Sequence, residues 1–231
     1  MRQTRNKIIL ALITLFITIS IGFNYVLPKV LLKLSRELPT RYASSYGLRF
    51  DRMEVLSFDS LILKGDFIYP FERNYLEKTS SHSVIFLHPI KENSQSIHPF
   101  LRNLTNLDVN FITFDLRSHG RSDGHLYTLG VNEAKDISSI IDYILSIHPD
   151  HSFGIYGRKN TGNILLKALE MDKRISYGIL ENYDNHPIET IEKMNYDDVF
   201  IKNRFLKNRL LDQTLKAVSY THLTLPTILL V

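Results

Sequence analysis

The chain has 231 residues, 44% of them hydrophobic and 23% charged, a balance that belongs to a folded globular protein and excludes a disordered one. Lys and Arg number 28 against 24 Asp and Glu, giving a formal net charge of +4. No dense basic patch with interleaved aromatics accompanies that excess, which argues against nucleic acid as a partner. Cysteine is absent, so disulfides, thiolate nucleophiles and cysteine metal sites are ruled out.

The first predicted element is a helix. Ile8 to Leu27 contains no charged residue, and a helix of that length spans about 30 Å, the thickness of a bilayer core. Residues 1–27 therefore read as a transmembrane anchor whose natural partner is membrane lipid. Thr14, Thr18 and Ser20 are tolerated there because their hydroxyls can bond back to the helix backbone. Arg2, Arg5 and Lys7 before the run favour an inside N-terminus, whereas Lys29, Lys33 and Arg36 after it pull the other way. The reading adopted is a single pass with the domain on the non-cytoplasmic side. The alternative is a cleaved signal peptide, for which Ser20-Ile21-Gly22 offers a small-x-small site.

Residues 28–52 are basic and mixed, a juxtamembrane stalk. From Met53 the pattern turns to strands. MEVLSF and LILKGDFIY alternate around Asp59-Ser60, which predicts an antiparallel hairpin. Ser83–Leu87 is a continuous apolar run, as a strand buried on both faces requires. Ser96–Leu107 carries Ile97, Leu101, Leu104 and Leu107 at helical spacing, and Asn110–Phe114 reads as a strand. Gly130–Ile147 is a strong helix pattern, Ser152–Tyr156 a strand, Asn163–Glu170 a helix and Ile175–Leu180 a strand. Such alternation predicts an α/β domain with a doubly wound, mostly parallel sheet.

The segment Phe114-Asp115-Leu116-Arg117-Ser118-His119-Gly120-Arg121-Ser122-Asp123-Gly124 resembles the F-D-x-R-G-H-G-x-S-x-G loop that follows the fourth strand in α/β-hydrolases, particularly the serine aminopeptidase (S33-like) and monoacylglycerol-lipase-like branch. Ser118 stands where the family has its first glycine. The resemblance covers about Met53 to Asn185 and implies an incomplete α/β-hydrolase fold acting on an ester, peptide or lipid. It gives the loop a structural role, so His119 and Asp115 are not taken as catalytic; turns use such side chains for local hydrogen bonds. His88-Pro89 falls where the family begins its oxyanion-hole loop. Pro89 has no N–H to offer, which leaves Ile90 and Lys91 as backbone donors there.

The family's nucleophile elbow, G-x-S-x-G between the fifth strand and the next helix, aligns with Gly157-Arg158-Lys159-Asn160-Thr161-Gly162. Gly157 matches the first glycine, Lys159 falls on the serine and Thr161 on the second glycine. Loss of a triad serine costs on the order of a millionfold in turnover. Lys159 would serve as an amine nucleophile only if burial or a neighbouring cation such as Arg158 freed its lone pair. The family's acid and base come late in the chain; the weak acid candidate here is Asp184, with His186 too near it in sequence to share one nucleophile.

Val218–Val231 (VSYTHLTLPTILLV) contains no acid, Lys or Arg, and VSYTHLTLPT resembles a translated sequencing-library adapter. The expected domains are therefore an anchor (1–27), a stalk (28–52), a partial hydrolase domain (53–217) and a tail foreign to the protein (218–231). With no Walker A loop, no G-x-G-x-x-G and no His pair at i, i+4, neither metal nor other cofactor is expected. Two functions stand: a membrane-anchored hydrolase of esters or peptides with unusual chemistry at the elbow, or a pseudoenzyme that binds or scaffolds at the membrane. Composition leaves the oligomeric state open.

Overall fold

The computed structural model describes residues 2–26, 36–71 and 80–182. Asp184, His186, Lys29, Lys33 and the 218–231 tail lie outside the described residues.

Helix α1 (Arg2–Ile21) continues into a π-helical turn (Gly22–Val26). It is long and apolar enough to cross a membrane, and none of its apolar stretch is buried against protein. Its interior hydroxyls are satisfied as expected: Thr14 Oγ1 donates to Leu10 O and Thr18 Oγ1 to Thr14 O, both at 2.9 Å.

Among the described residues the remaining elements build a six-stranded mixed sheet in the order β1-β2-β4-β3-β5-β6. The strands are β1 (Phe50–Leu56), β2 (Ile62–Ile68), β3 (His82–Leu87), β4 (Asn110–Phe114), β5 (Ser152–Arg158) and β6 (Ile175–Glu181). The expected hairpin is the antiparallel pair β1–β2, and β2 joins β4 antiparallel. The pairs β4–β3, β3–β5 and β5–β6 are parallel. In β4 every residue is buried, the signature of a strand covered on both faces.

Helices α3 (Val131–Ile147) and α4 (Gly162–Met171) cover one face. Ala134, Ile137, Ile140, Ile141 and Ile144 of α3 are at most 1% exposed and recur at the three- and four-residue spacing that makes one apolar stripe. The start of α3 is fixed by Glu133, whose carboxylate accepts from the N–H groups of Thr128 and Gly130 and from the Thr128 hydroxyl. Those bonds satisfy donors that a helix N-terminus otherwise leaves open.

The opposite face is covered by a shorter helix than the sequence predicts. Only His98–Arg102 is α-helical (α2), preceded by a 3-10 turn over Ser94–Ile97. Beyond Asn103 the chain closes tight turns, Leu104 N–H to Leu101 O and Leu107 N–H to Leu104 O, and Leu107 is exposed. Ile97 and Leu101 reach the core with Val84, Phe86, Phe111 and Tyr156. Part of the expected stalk belongs to this same cluster: Ala43 and Leu48 are buried in it, and β1 begins at Phe50, ahead of Met53.

One ion-pair hub ties the hairpin to α3. The Arg117 guanidinium lies after β4 with a side chain 4% exposed. It donates to both oxygens of Asp136 (2.7 and 2.6 Å) and to both oxygens of Asp59 in the β1–β2 turn (3.0 and 3.1 Å). Removing Arg117 strands the buried Asp136 carboxylate, whereas Asp59, 37% exposed, keeps its contact with water. Arg117→Met is expected to cost about 3–5 kcal/mol, read as a lowered urea midpoint of the detergent-solubilised chain.

Candidate functional site

In an open parallel sheet the ligand edge is the one at the carboxyl ends of the strands. Three loops meet there: the one after β3 (His88–Asn93), the one after β4 (Asp115–Gly124) and the β5–α4 turn (Lys159–Thr161).

The β4 loop is organised around Asp115. Its carboxylate accepts from the backbone N–H groups of Ser94 and Arg121, each at 2.8 Å. Burial alone would raise this carboxyl, but the bonds from Arg121 and Ser94 outweigh it and hold it below the usual range. Gly120 (φ 43°) folds directly over that carboxylate, and a Cβ there would sit 2.4 Å from Asp115 Cγ. Ser118, the departure from the family pattern, adopts φ 66°, the left-handed conformation for which the family's glycine is suited. Ser122 accepts from Lys64 N–H and donates to Asp115 O, pinning the loop to β2.

His88 is a staple between β3 and β4. Its Nδ1–H donates to Pro89 O (2.8 Å) and its Nε2 accepts from Leu116 N–H (2.9 Å). Both ring nitrogens are thus committed and the ring is neutral; burial, foremost, lowers its proton affinity. His119 donates from Nδ1 to Arg117 O at 2.9 Å and packs edge-on against His88 and Tyr127. Burial, then the neighbouring His88, lowers it to about 3. Neither histidine has the exposure or proton affinity of a general base at neutral pH.

The β5–α4 turn has the strand–turn–helix context that an elbow requires. Lys159 is its apex, at φ 50°, a left-handed conformation that costs a residue with a Cβ roughly 1–2 kcal/mol. Gly157 is needed for close packing: a Cβ there would meet Thr161 Oγ1 at 2.6 Å and Leu165 Cδ1 at 3.2 Å. Thr161 is fully buried and donates to Arg158 O at 2.9 Å, and Gly162 begins α4 in ordinary helical conformation.

The side chains of this turn reach across to the β3 loop. Asn160 Oδ1 accepts from Ile90 N–H at 3.1 Å, so the first backbone donor after Pro89 is spent. Lys159 Nζ lies 3.4 Å from Glu92 Oε1, and its side chain is 55% exposed. Arg158 turns the other way, pairing through Nε with Glu181 Oε2 at 3.2 Å. Glu181 also accepts from the Tyr156 hydroxyl. Burial, then the Glu181 contacts, raises the Tyr156 phenol above its ordinary range.

Gly157, Lys159, Gly162, His88, Pro89 and Ile90 thus share one edge. Three contributors were not singled out in the sequence: Asn160, Glu92 and Glu181. Glu181 ends β6 at the same edge, and an acid closing an apolar strand is its signal in the sequence.

No family model and no curated protein matches the sequence. Solved structures do match. The chain superposes on the esterase Pf2001 of Pyrococcus furiosus in one crystal form with TM-score 0.62 and 19% identity, covering 83% of this chain and 70% of that one. In another form the figures are 0.56 and 21%, with 63% and 56% covered. The hypothetical protein PA2218 of Pseudomonas aeruginosa gives 0.52 and 19%, with 79% and 56% covered. The chain therefore spans little more than half the length of some of these proteins. The likeness shows the fold, which is that of the α/β-hydrolases.

Two outcomes are expected from this geometry. Gly157→Ala lowers stability by about 1–3 kcal/mol through overpacking, whereas Lys159→Gly raises it by up to about 1 kcal/mol by relieving the left-handed apex; urea titration of both variants separates them. His119 titrates near 6.5 when unfolded and at about 3 when folded, so the unfolded chain binds the extra proton and stability falls as pH drops below 6.5. Its share of the loss between pH 7 and pH 5 is about 2 kcal/mol, and His119→Gln flattens that part of the pH profile.

Proposed function

We propose that this chain is a membrane-anchored protein of the α/β-hydrolase fold that binds a small ester, peptide or lipid at its elbow edge without cleaving it. One observation carries the reading. At the apex where a hydrolase of this fold needs a serine hydroxyl stands Lys159, with its ammonium turned to Glu92 and the adjoining Ile90 N–H bonded to Asn160.

Acyl transfer needs a nucleophile and free donors aimed at the developing oxyanion. An amine becomes a nucleophile when a dry pocket or a close cation frees its lone pair. Lys159 is half exposed and faces a carboxylate, while the adjacent cation Arg158 is engaged by Glu181. The groups that would hold a tetrahedral intermediate instead hold two loops together. In this reading α1 crosses the membrane once and the domain lies on the non-cytoplasmic side.

A second reading, an active ester or peptide hydrolase of the S33-like branch, is favoured by the left-handed apex of Lys159 and the close-packed Gly157. Backbone strain of that kind is typically kept where it serves a site. The likeness to an esterase supports the same reading through the fold alone, and a fold does not fix an activity.

The two separate on turnover. The full-length chain in vesicles is assayed with short-chain aryl esters and aminoacyl amides beside Lys159→Ala. We expect identical rates at the buffer background for both proteins. Turnover that the substitution abolishes would establish the hydrolase. Carbonate washing of the same vesicles tests the anchor, and the chain is expected to stay with the lipid.

A further inference from the structure

The β1–β2 hairpin places its turn at the carboxyl edge of the sheet. β2 runs antiparallel to β4, so Ile62 at its start lies beyond Phe114 at the end of β4. The hairpin tip is therefore on the same edge as Lys159. It carries three large apolar side chains that stay partly exposed: Leu56 (65% exposed), its cross-strand partner Ile62 (38%) and Phe58 (49%). An exposed apolar tip costs solubility unless it has a use.

Its charges are arranged for an amphipathic interface. The Phe58 ring lies 4.9 Å from Lys135 Nζ and 5.2 Å from the Arg117 guanidinium carbon. The acids nearby are already engaged: Asp59 with Arg117, Glu54 with Lys64, and Asp123 with the Ile62 N–H. Apolar rings and aliphatic chains flanked by lysines fit the boundary between headgroups and acyl chains, where the lysine stems extend to the phosphates.

The path of the chain says which partner covers the tip. Residues 36–41 are tied to this edge. Arg36 donates to Gly124 O, Asn93 donates to Glu37 O, and Gln95 accepts from Arg41 N–H. Only residues 27–35 separate the end of the π-helical turn from Arg36, at most roughly 30–35 Å when fully extended. A domain of this size is itself about 35–40 Å across. The edge bearing Arg36, the hairpin tip and the elbow is thus held within one domain diameter of the point where α1 leaves the bilayer.

The geometry points to a membrane-docking surface: Leu56, Phe58 and Ile62 insert at the headgroup boundary of the bilayer that α1 crosses, so the elbow edge faces lipid and its ligand is an amphiphile supplied from that bilayer. This inference rests on the anchoring of α1 proposed above.

The chain contains no tryptophan, so a single introduced one reports without background. Phe58→Trp and Leu56→Trp are made in the full-length chain and reconstituted in phosphatidylcholine–phosphatidylglycerol vesicles. Ile147→Trp, at the exposed end of α3 on the opposite edge, is the control. We expect both tip probes to be blue-shifted, quenched by lipids brominated high on the acyl chain and shielded from iodide, with Ile147→Trp fully open to iodide. Tip probes as accessible to iodide as the control overturn the docking while leaving the anchor intact. Release of the whole chain by carbonate overturns anchor and docking together, and the two failures are told apart by that wash.

Discussion

The structure turns on a single buried guanidinium. Arg117 leaves the end of β4 and clamps two carboxylates at once, Asp136 from α3 and Asp59 from the β1–β2 turn. A charge withdrawn from water is tolerable only when its donors are met, and here two bidentate carboxylates meet most of them. That requirement fixes where α3 sits relative to the hairpin. It also fixes the trajectory of residues 115–124, because the backbone that carries Arg117 must turn sharply to deliver it.

The rest of the β4 loop serves that turn. Asp115 collects two backbone N–H groups, Ser118 takes a left-handed conformation and Gly120 lies over the Asp115 carboxylate. His88 staples β3 to the same loop with both ring nitrogens committed. A motif rich in residues that look catalytic is thus spent on structure. His88, His119 and Asp115 are buried and hydrogen-bonded, and the two histidines are held neutral by that burial.

Chemistry would have to come from the neighbouring turn, and there the side chains tie loops together. Lys159 reaches Glu92, Asn160 takes the Ile90 N–H, and Arg158 goes to Glu181. The β5–α4 turn combines a left-handed apex and a close-packed glycine with side chains that latch the neighbouring loops together. The proposed binding without turnover rests on that combination, and the proposed docking of the same edge to a bilayer names an amphiphile as the ligand.

Much of this was legible in the sequence. The apolar runs of β3 and β4, the stripe of α3 and the alternation of strand and helix are local patterns, and local periodicity reports burial directly. The D-x-R-S-H-G-R-S-D-G run pointed to the fold through its resemblance to the loop after the fourth strand of α/β-hydrolases. The length of α2 was over-read, since Leu104 and Leu107 keep helical spacing without a surface to bury both. The segment before Met53 looked like a detached stalk because a lone Ala43 or Leu48 carries no period, yet both complete the core beneath α2. What only the tertiary structure decided were pairings between distant residues: Ile90 with Asn160, Lys159 with Glu92, and Arg36 with Gly124. A one-dimensional pattern shows which face of an element is buried. Whether a particular N–H or ammonium is free or spent depends on which loop the fold lays opposite it.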